Sequence, residues 1–535
     1  MSTPHQLLSR LERLNDIGVA LSAERDNDRL MEMILLGAKE ITNADGGTLY
    51  TVTDDQRLKF EIMRTDSLGI TLGGTTGKAI PFPPLSLHGE DGTPNNNMVA
   101  AYAVLNDKAV NIEDAYEAEG FDFSGTRQFD QNTGYRSKSF LTIPMKNHEN
   151  EIIGVLQLLN AMDPATGTIV SFSAENQRLV ESLASQAAVA LTNHNLIEGL
   201  KKLFESFIRL IAKAIDEKSP YTGGHCERVP KLTMMIAEAA NASKAGPLAK
   251  FRLNDKEMYE LSIAGLLHDC GKVTTPEYVV DKPTKLSTIF DRITLIDQRF
   301  ELLKAQAEID MLRKLTVQAG SEAQLALGLQ ATLKQLDEDR AFLREANIGS
   351  EFMSPEQQAR VRKIAAYPLH EHGAIKPFLS EDEVYNLNIQ RGTLTSEERQ
   401  IINNHIVVTI NMLESLPYPK ALQRVPEYAG GHHERMDGKG YPRGLTREQM
   451  SMPARMMGIA DIFEALTARD RPYKKAKTLS ESLRILGQMK LDHHIDPDIF
   501  DLFIRNKIYL QYAQQFLEPE QIDAVDESAI PGYAP

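Results

Sequence analysis

The chain has 535 residues, 42% hydrophobic and 25% charged, with a formal net charge of −15, a length and balance that suit roughly three globular domains. The acidic balance excludes a general nucleic-acid or anionic-membrane surface, which would need excess Lys and Arg; neither a nucleic acid polymer nor a membrane is an expected partner. An anionic substrate must then be held locally, by metal ions and a few placed cations. No signal-peptide pattern opens the chain and no apolar run approaches the ~18–20 residues of a membrane span, which predicts a cytoplasmic protein. Its two cysteines, Cys226 and Cys270, cannot build a disulfide framework and read as small buried apolar residues.

Residues 1–175 read as one mixed α/β domain. Helical stretches run from Leu7 to Ala23 and from Asp28 to Ala44, and strand-like pieces follow at Thr48–Val52, Leu58–Met63, Phe140–Pro144 and Ile152–Leu159, separated by Gly and Asp/Asn turns. The stretch from Pro81 to Asn97, rich in Pro, Gly and Asn, reads as a mobile loop. From Ser173 to Lys218 the spacing predicts one long helix of about 65–70 Å, with residues 176–218 as the connector to a second domain over 204–535. A 4-3 repeat through Leu183, Ala187, Ala190, His194, Ile197, Lys201, Phe204, Ile208, Ile211 and Ile215 predicts a coiled-coil seam and a parallel homodimer.

The second half carries the chemistry. Five segments supply five His and two Asp: His225 in Gly224-His225-Cys226-Glu227-Arg228-Val229, His268 and Asp269 in His268-Asp269-Cys270-Gly271-Lys272, His405, His432 and His433 ahead of Asp437-Gly438-Lys439-Gly440-Tyr441-Pro442, and Asp461. Adjacent residues such as His268 and Asp269 project about 100° apart on a helix, so they need partners from other helices. Lys272 lies one turn on and can face the same cavity, where a buried ammonium suits charge stabilisation or proton donation. Asp461 stands in an apolar helical run, where a carboxylate must be paired or coordinated. Nitrogen and oxygen donors without thiolate suit Fe or Mn, and there are enough for two divalent ions. The reading is a binuclear metallohydrolase. His370-Glu371-His372 and His493-His494 have no partner segments and read as ordinary surface or core histidines.

Two resemblances follow. Val110-Asn111-Ile112-Glu113-Asp114-Ala115-Tyr116, Gly134-Tyr135-Arg136-Ser137-Lys138-Ser139-Phe140-Leu141 and Gly154-Val155-Leu156-Gln157-Leu158-Leu159-Asn160 resemble the GAF sensor domain, which implies five or six antiparallel strands flanked by helices and an unidentified small-molecule ligand. Of that family's dispersed signature, Asn160 and Phe172 match, while Ala161, Asn176 and Gln177 stand where Lys, Asp and Glu are usual. The segment from about Phe204 to Glu518 resembles the HD-GYP domain, including Gly440-Tyr441-Pro442 and Asp470-Arg471-Pro472-Tyr473-Lys474. That resemblance implies an all-α HD-superfamily catalytic domain, two or three metal ions (often iron or manganese) and cleavage of cyclic di-GMP to pGpG, with or without further cleavage to GMP.

Carried over by position, His225, His268, Asp269 and Asp461 hold one metal, and Asp269 bridges to a second completed by His405, His432 and His433. Tyr221 stands where some members place a third-metal Glu, which implies two ions, and Ser219 where many have Asp. Asp269 and Lys272 take catalytic roles; Gly440, Tyr441, Arg471 and Lys474 take substrate-binding ones. The alternatives are a 3′,3′-cyclic GMP-AMP hydrolase and a non-catalytic signalling adaptor. Relative to the family, about a hundred extra residues follow Lys282-Pro283-Thr284-Lys285-Leu286. This insertion, about 287–392, reads as helices with stripes at Ile293, Ile296, Phe300, Leu303, Ala307 and at Leu325, Leu329, Leu333, Leu336, and a capping-box start at Ser354; it is expected to form an arm near the active-site mouth.

Overall fold

The computed structural model describes residues 4–218, 224–317, 321–349, 352–371, 373–469 and 476–534, in two compact units, Met1–Phe204 and Glu205–Pro535. The first is built from α1 (Pro4–Ala23), α2 (Asn27–Thr42), β1 (Ala44–Val52), β2 (Arg57–Thr65), β3 (Ile70–Gly73), β4 (Leu85–Ser86), α3 (Val99–Leu105), β5 (Val110–Ile112), α4 (Ser124–Thr133), β6 (Phe140–Lys146), β7 (Ile152–Met162), β8 (Ile169–Val170) and the start of α5 (Ala174–Lys218). The strands form an antiparallel sheet in the order β3-β2-β1-β7-β6-β5, with β4 on β2 and β8 on β7. Period-two alternation assigns its faces. Leu49 and Leu156, register partners, join Ile34, Leu35, Val180, Leu183 and Ala187 in a core under α1, α2 and α5. The next pair, Tyr50 and Val155, joins Leu58, Leu87 and Ala100 beneath α3 on the other face.

The sequence-read strands all lie within β1, β2, β6 and β7. The short strands lacked enough alternating residues to stand out. The Pro81–Asn97 stretch, expected to be mobile, carries internal hydrogen bonds, Gly89 N donating to Thr93 O at 2.8 Å, Asn95 N to Leu87 O at 2.8 Å and Asn95 Nδ2 to Ser86 O at 2.9 Å, and Leu87 N reaches Gln56 O at 3.2 Å beside β2. Asn160, matched by resemblance, has a structural task. Its buried amide accepts from Lys138 N (2.7 Å) and Ser139 N (3.2 Å) and donates to Tyr135 Oη (2.9 Å) and Arg136 O (2.8 Å), tying the chain before β6 onto β7.

The predicted seam on α5 needs correction. Leu183 and Ala187 are fully buried in the sheet core, and Ile208 and Ile215 are also buried within the chain, so those positions cannot face a partner. A second stripe, Val189, Leu196, Leu200, Leu203, Phe207 and Leu210, is exposed instead, Leu200 by 66%. It has the same heptad spacing, with Asn193 in the step left between Val189 and Leu196. The predicted stripe covers the sheet at Leu183 and Ala187 but is exposed at Ile197 and Ile211; the second stripe is exposed at all six apolar positions.

The second unit continues with α6 (His225–Ala242), α7 (Asp255–Leu267), α8 (Glu277–Val280), α9 (Ile293–Thr316), α10 (Glu322–Ile348), α11 (Pro355–Ala365), β9 (Pro368–Glu371), β10 (Ala374–Pro377), α12 (Glu381–Leu387), α13 (Ser396–Asn403), α14 (His405–Glu414), α15 (Val425–Gly430), α16 (Met452–Thr467), α17 (Leu479–Leu491), α18 (Pro497–Arg505) and α19 (Ile508–Phe516). No helix among the described residues is long and apolar enough to cross a membrane.

The insertion has its own core of Ile296, Phe300, Leu303, Leu336, Leu343, Val361, Ile364, Phe378 and Leu387. It is not purely helical, since β9 and β10 form a hairpin. The expected capping box at Ser354 and Gln357 is present, and a second, at Ser380 and Glu383, starts α12. Of the second predicted stripe only Leu336 is buried; burial on α10 continues through Leu343, because only the C-terminal half of that helix meets α11 and α12. Lys282 and Lys285 clasp the insertion: Lys282 Nζ donates to Asn386 Oδ1 (3.1 Å) and to both Glu398 oxygens (2.9 and 2.8 Å), and Lys285 Nζ to Leu387 O (2.9 Å).

Candidate metal centre

The site lies where α6, α7, α14, α15 and α16 converge. A capping box at Asn254 and Glu257 starts α7, which delivers His268 at its C-terminal end; a 3-10 turn, Cys270–Thr274, follows Asp269. Gly271 allows this turn to press on α14: its N donates to Thr409 Oγ1 at 2.9 Å, and a Cβ there would fall on the His405 carbonyl. That approach sets His405 Nε2 3.2 Å from Asp269 Oδ1. Asp461 arrives from α16, with Oδ1 3.3 Å from His225 Nε2.

All seven sequence-read donors come together. His225, His268 and Asp461 form one group of ligand atoms mutually within 4.8 Å; His405, His432 and His433 form a second; His268, Asp269 and His432 form a third that joins them. The Nε2 atoms of His225 and His268 face each other at 3.3 Å, as do those of His405 and His433 at 3.2 Å. Imidazoles keyed through Nδ1 turn lone pairs toward one another in such pairs, an arrangement that a cation between them relieves. His268, His405 and His432 are keyed in this way: Nδ1–H donates to the backbone carbonyls of Gly265 (2.7 Å), Ile402 (2.6 Å) and Ala429 (2.6 Å). Among the described residues, His432 Nε2 and Asp269 Oδ1 are buried with no hydrogen-bond partner. The donor set therefore fits divalent metal.

Electrostatics agree. Burial, with His433 and His268 adding to it, holds His432 well below the usual imidazole range, and burial pushes His433 down to about 4. Both are neutral donors at ordinary pH. Burial alone would raise the carboxyls of Asp269 and Asp461, but Lys272 and His268 around the first, and His225 and His432 around the second, hold both below the ordinary value. Lys272 Nζ donates to Asp269 Oδ2 at 2.5 Å; despite burial its ammonium is held above the ordinary value by Asp269 and Asp461. Burial keeps the Cys226 and Cys270 thiols protonated, the latter raised to about 11.

Tyr441 stacks on His433, ring centroids 4.8 Å apart and planes 23° from parallel, and burial pushes its hydroxyl up to about 12. The turn carrying it is held by Glu434, which accepts from Arg443 N (2.7 Å) and Leu445 N (2.9 Å). A Cβ on Gly440 would strike the Glu434–Arg435 backbone, so the turn closes only with glycine there. Arg471 and Lys474, like Ser219, Tyr221 and His372, lie outside the described residues. His493 and His494 stand beside the turn, their carbonyls accepting from Asp437 N (3.1 Å) and Met436 N (3.3 Å), and His370 is exposed on β9; none belongs to the ligand groups.

Sequence reading missed two carboxylates. Glu434 directly follows the paired histidines. Glu464 is buried on α16 one turn beyond Asp461; it accepts from His225 Nδ1 at 2.5 Å and from Arg228 Nε at 2.7 Å. Its i, i+3 relation to Asp461 in an apolar helix was the available signal.

Comparison with known proteins defines the class. A GAF domain model matches residues 26–191, and two HD domain models match 222–318 and 324–499, dividing the seven donors between them. The chain is thus a GAF domain followed by a largely helical HD-superfamily region, homologous to cyclic-nucleotide phosphodiesterases. Among its relatives is a 3′3′-cGAMP-specific phosphodiesterase 1 of Vibrio cholerae, 44% identical over 82 residues, 15% of this chain and 19% of that one. A cyclic di-GMP phosphodiesterase of Pseudomonas aeruginosa is 38% identical over 114 residues, 21% and 26% of the two chains. A 3′3′-cGAMP-specific phosphodiesterase 3 of Vibrio cholerae is 24% identical over 343 residues, 63% and 48%. The chain covers less than half the length of each.

Proposed function

We propose that this protein is an HD-GYP-type phosphodiesterase that hydrolyses a cyclic dinucleotide, cyclic di-GMP in the first instance, to pGpG, with or without a second cleavage to GMP, under control of its GAF domain and that domain's small-molecule ligand. The observation that carries the reading is the convergence of seven donors, from α6, α14, α16 and the turns after α7 and α15, on a space where His432 Nε2 and Asp269 Oδ1 are buried and have no hydrogen-bond partner among the described residues. His225, His268, Asp269 and Asp461 are the proposed ligands of one ion, and Asp269, His405, His432 and His433 of the other; Fe or Mn suits this donor set. Two such ions supply Lewis acidity at the phosphoryl oxygens and acidify water.

The chain's own residues do the rest. Asp269 presents one oxygen toward His405 and the other toward Lys272, which keeps it ionised between the two ligand groups. Lys272 spends one N–H on Asp269 and keeps two for a phosphate oxygen or the leaving 3′-oxygen. Tyr441, braced against His433 and protonated, offers a hydroxyl donor at the rim, and the Gly440 turn brings backbone close to the substrate. Arg471 and Lys474 are the proposed cations for a second phosphate or a guanine edge.

Names of relatives include both cyclic di-GMP and 3′3′-cGAMP as substrates, so both nucleotides belong in the test. A signalling adaptor is disfavoured by the intact donor set. The experiment is anaerobic hydrolysis of each nucleotide by protein loaded with Mn(II) or Fe(II), resolved by chromatography. Turnover of cyclic di-GMP supports the reading. Turnover of the mixed nucleotide alone moves the assignment to that substrate, and no turnover of either with two metals bound overturns it. Homodimerisation is proposed through the exposed α5 stripe at Val189, Leu196, Leu200 and Leu203.

A further inference from the structure

Three of the histidines are keyed by their own backbone. His268, His405 and His432 each donate Nδ1–H to the carbonyl three residues earlier, which fixes ring orientation and leaves Nε2 as the donor atom. His225 is different. It is the first residue of α6. Its Nδ1 meets the Glu464 carboxylate at 2.5 Å instead, 239 residues away in sequence. Glu464 is almost fully buried, and its other oxygen takes Nε and Nη2 of Arg228 at 2.7 and 2.6 Å.

The four residues form a square across two helices. His225 and Arg228 stand one turn apart on α6; Asp461 and Glu464 stand one turn apart on α16. Asp461 faces the Nε2 side of the His225 ring and Glu464 the Nδ1 side. A carboxylate on Nδ1–H makes Nε2 a stronger donor than a neutral carbonyl does. We infer that Glu464, itself braced by Arg228, is a positioning residue that selectively strengthens metal binding at the His225–His268–Asp461 end of the centre and leaves unstrengthened the His405–His432–His433 end, where backbone carbonyls key His405 and His432. The inference rests on the two-metal reading proposed above, and it makes the two ends unequal: the first fills earlier and empties later.

The test is titration of chelator-stripped, full-length protein with Mn(II), free ion being read by electron paramagnetic resonance, for wild type, Glu464→Gln and Arg228→Gln. Glutamine preserves shape and removes charge. The expected result is two sites in wild type and, in Glu464→Gln, one site weakened about 10- to 100-fold with the other unchanged and an unaltered melting temperature of the metal-free protein. Arg228→Gln should weaken the same site by less. Two sites of wild-type affinity in Glu464→Gln, equal weakening of both, or a lowered metal-free melting temperature with both affinities intact would each overturn the inference and leave the phosphodiesterase reading standing. Fewer than two sites in wild type would overturn both.

Discussion

The two units bury polar groups to opposite ends. In the N-terminal domain, Asn160 has its amide satisfied in four directions, and Asp130 is closed by Tyr116 Oη, Ser137 N and Ser137 Oγ. In the second unit, His432 Nε2 and Asp269 Oδ1 are equally buried and have no hydrogen-bond partner among the described residues. A buried polar group left unpaired costs about 1–3 kcal/mol, so a cluster of them at one place signals a missing binding partner, whereas a closed network signals architecture. A family-matching residue can fall on either side, and Asn160 falls on the architectural one.

Breaking each network should therefore have opposite consequences. Asp269→Ala removes the carboxylate between the two ligand groups. Several kcal/mol of transition-state stabilisation go with it, so the proposed turnover of cyclic di-GMP should fall by roughly 1000-fold or more with little change in the folding of the metal-free chain, as chromatographic rates and circular dichroism would show. Asn160→Ala should do the reverse. Leaving buried amides and the Tyr135 hydroxyl unpaired should destabilise the first unit by about 3 kcal/mol, read by urea denaturation, with the Mn(II) stoichiometry unchanged; a loss of metal would contradict the division drawn here.

A third prediction concerns the clasp of the insertion. Lys285 is 1% exposed with no carboxylate partner among the described residues, and burial pushes its ammonium down to about 8. Between pH 8 and the ordinary lysine value of ~10.4, the unfolded state therefore holds a proton that the folded state has released. Stability should rise with pH across that window, by at most about 1.4 kcal/mol per unit, and be flat below it. Lys285→Met should abolish that rise in denaturation curves measured from pH 7 to 10.5. The smallest chemical effect belongs to α5: Leu200→Glu should convert the proposed dimer to a monomer in light scattering while leaving the proposed hydrolysis by the second unit within about twofold of wild type, since a solvent-facing substitution seldom alters folding by more than about 0.5 kcal/mol.

By itself, the sequence determined which side chains would be costly to bury alone. Histidines and aspartates inside apolar helices stand out because such groups need partners, so the seven donors and Lys272 were legible, as were the long strands and the capping box at Ser354. Pairings between distant residues were decided only by the tertiary structure. Nothing local ties Glu464 to His225, or Glu434 to the amides of Arg443 and Leu445, and the hairpin of the insertion is too short to show alternation. The α5 helix makes the physical reason plain. Two stripes on it share the same 4-3 period, and periodicity reports only that a face is apolar; packing of the sheet against Leu183 and Ala187 decides which face is already covered and which is left for a partner.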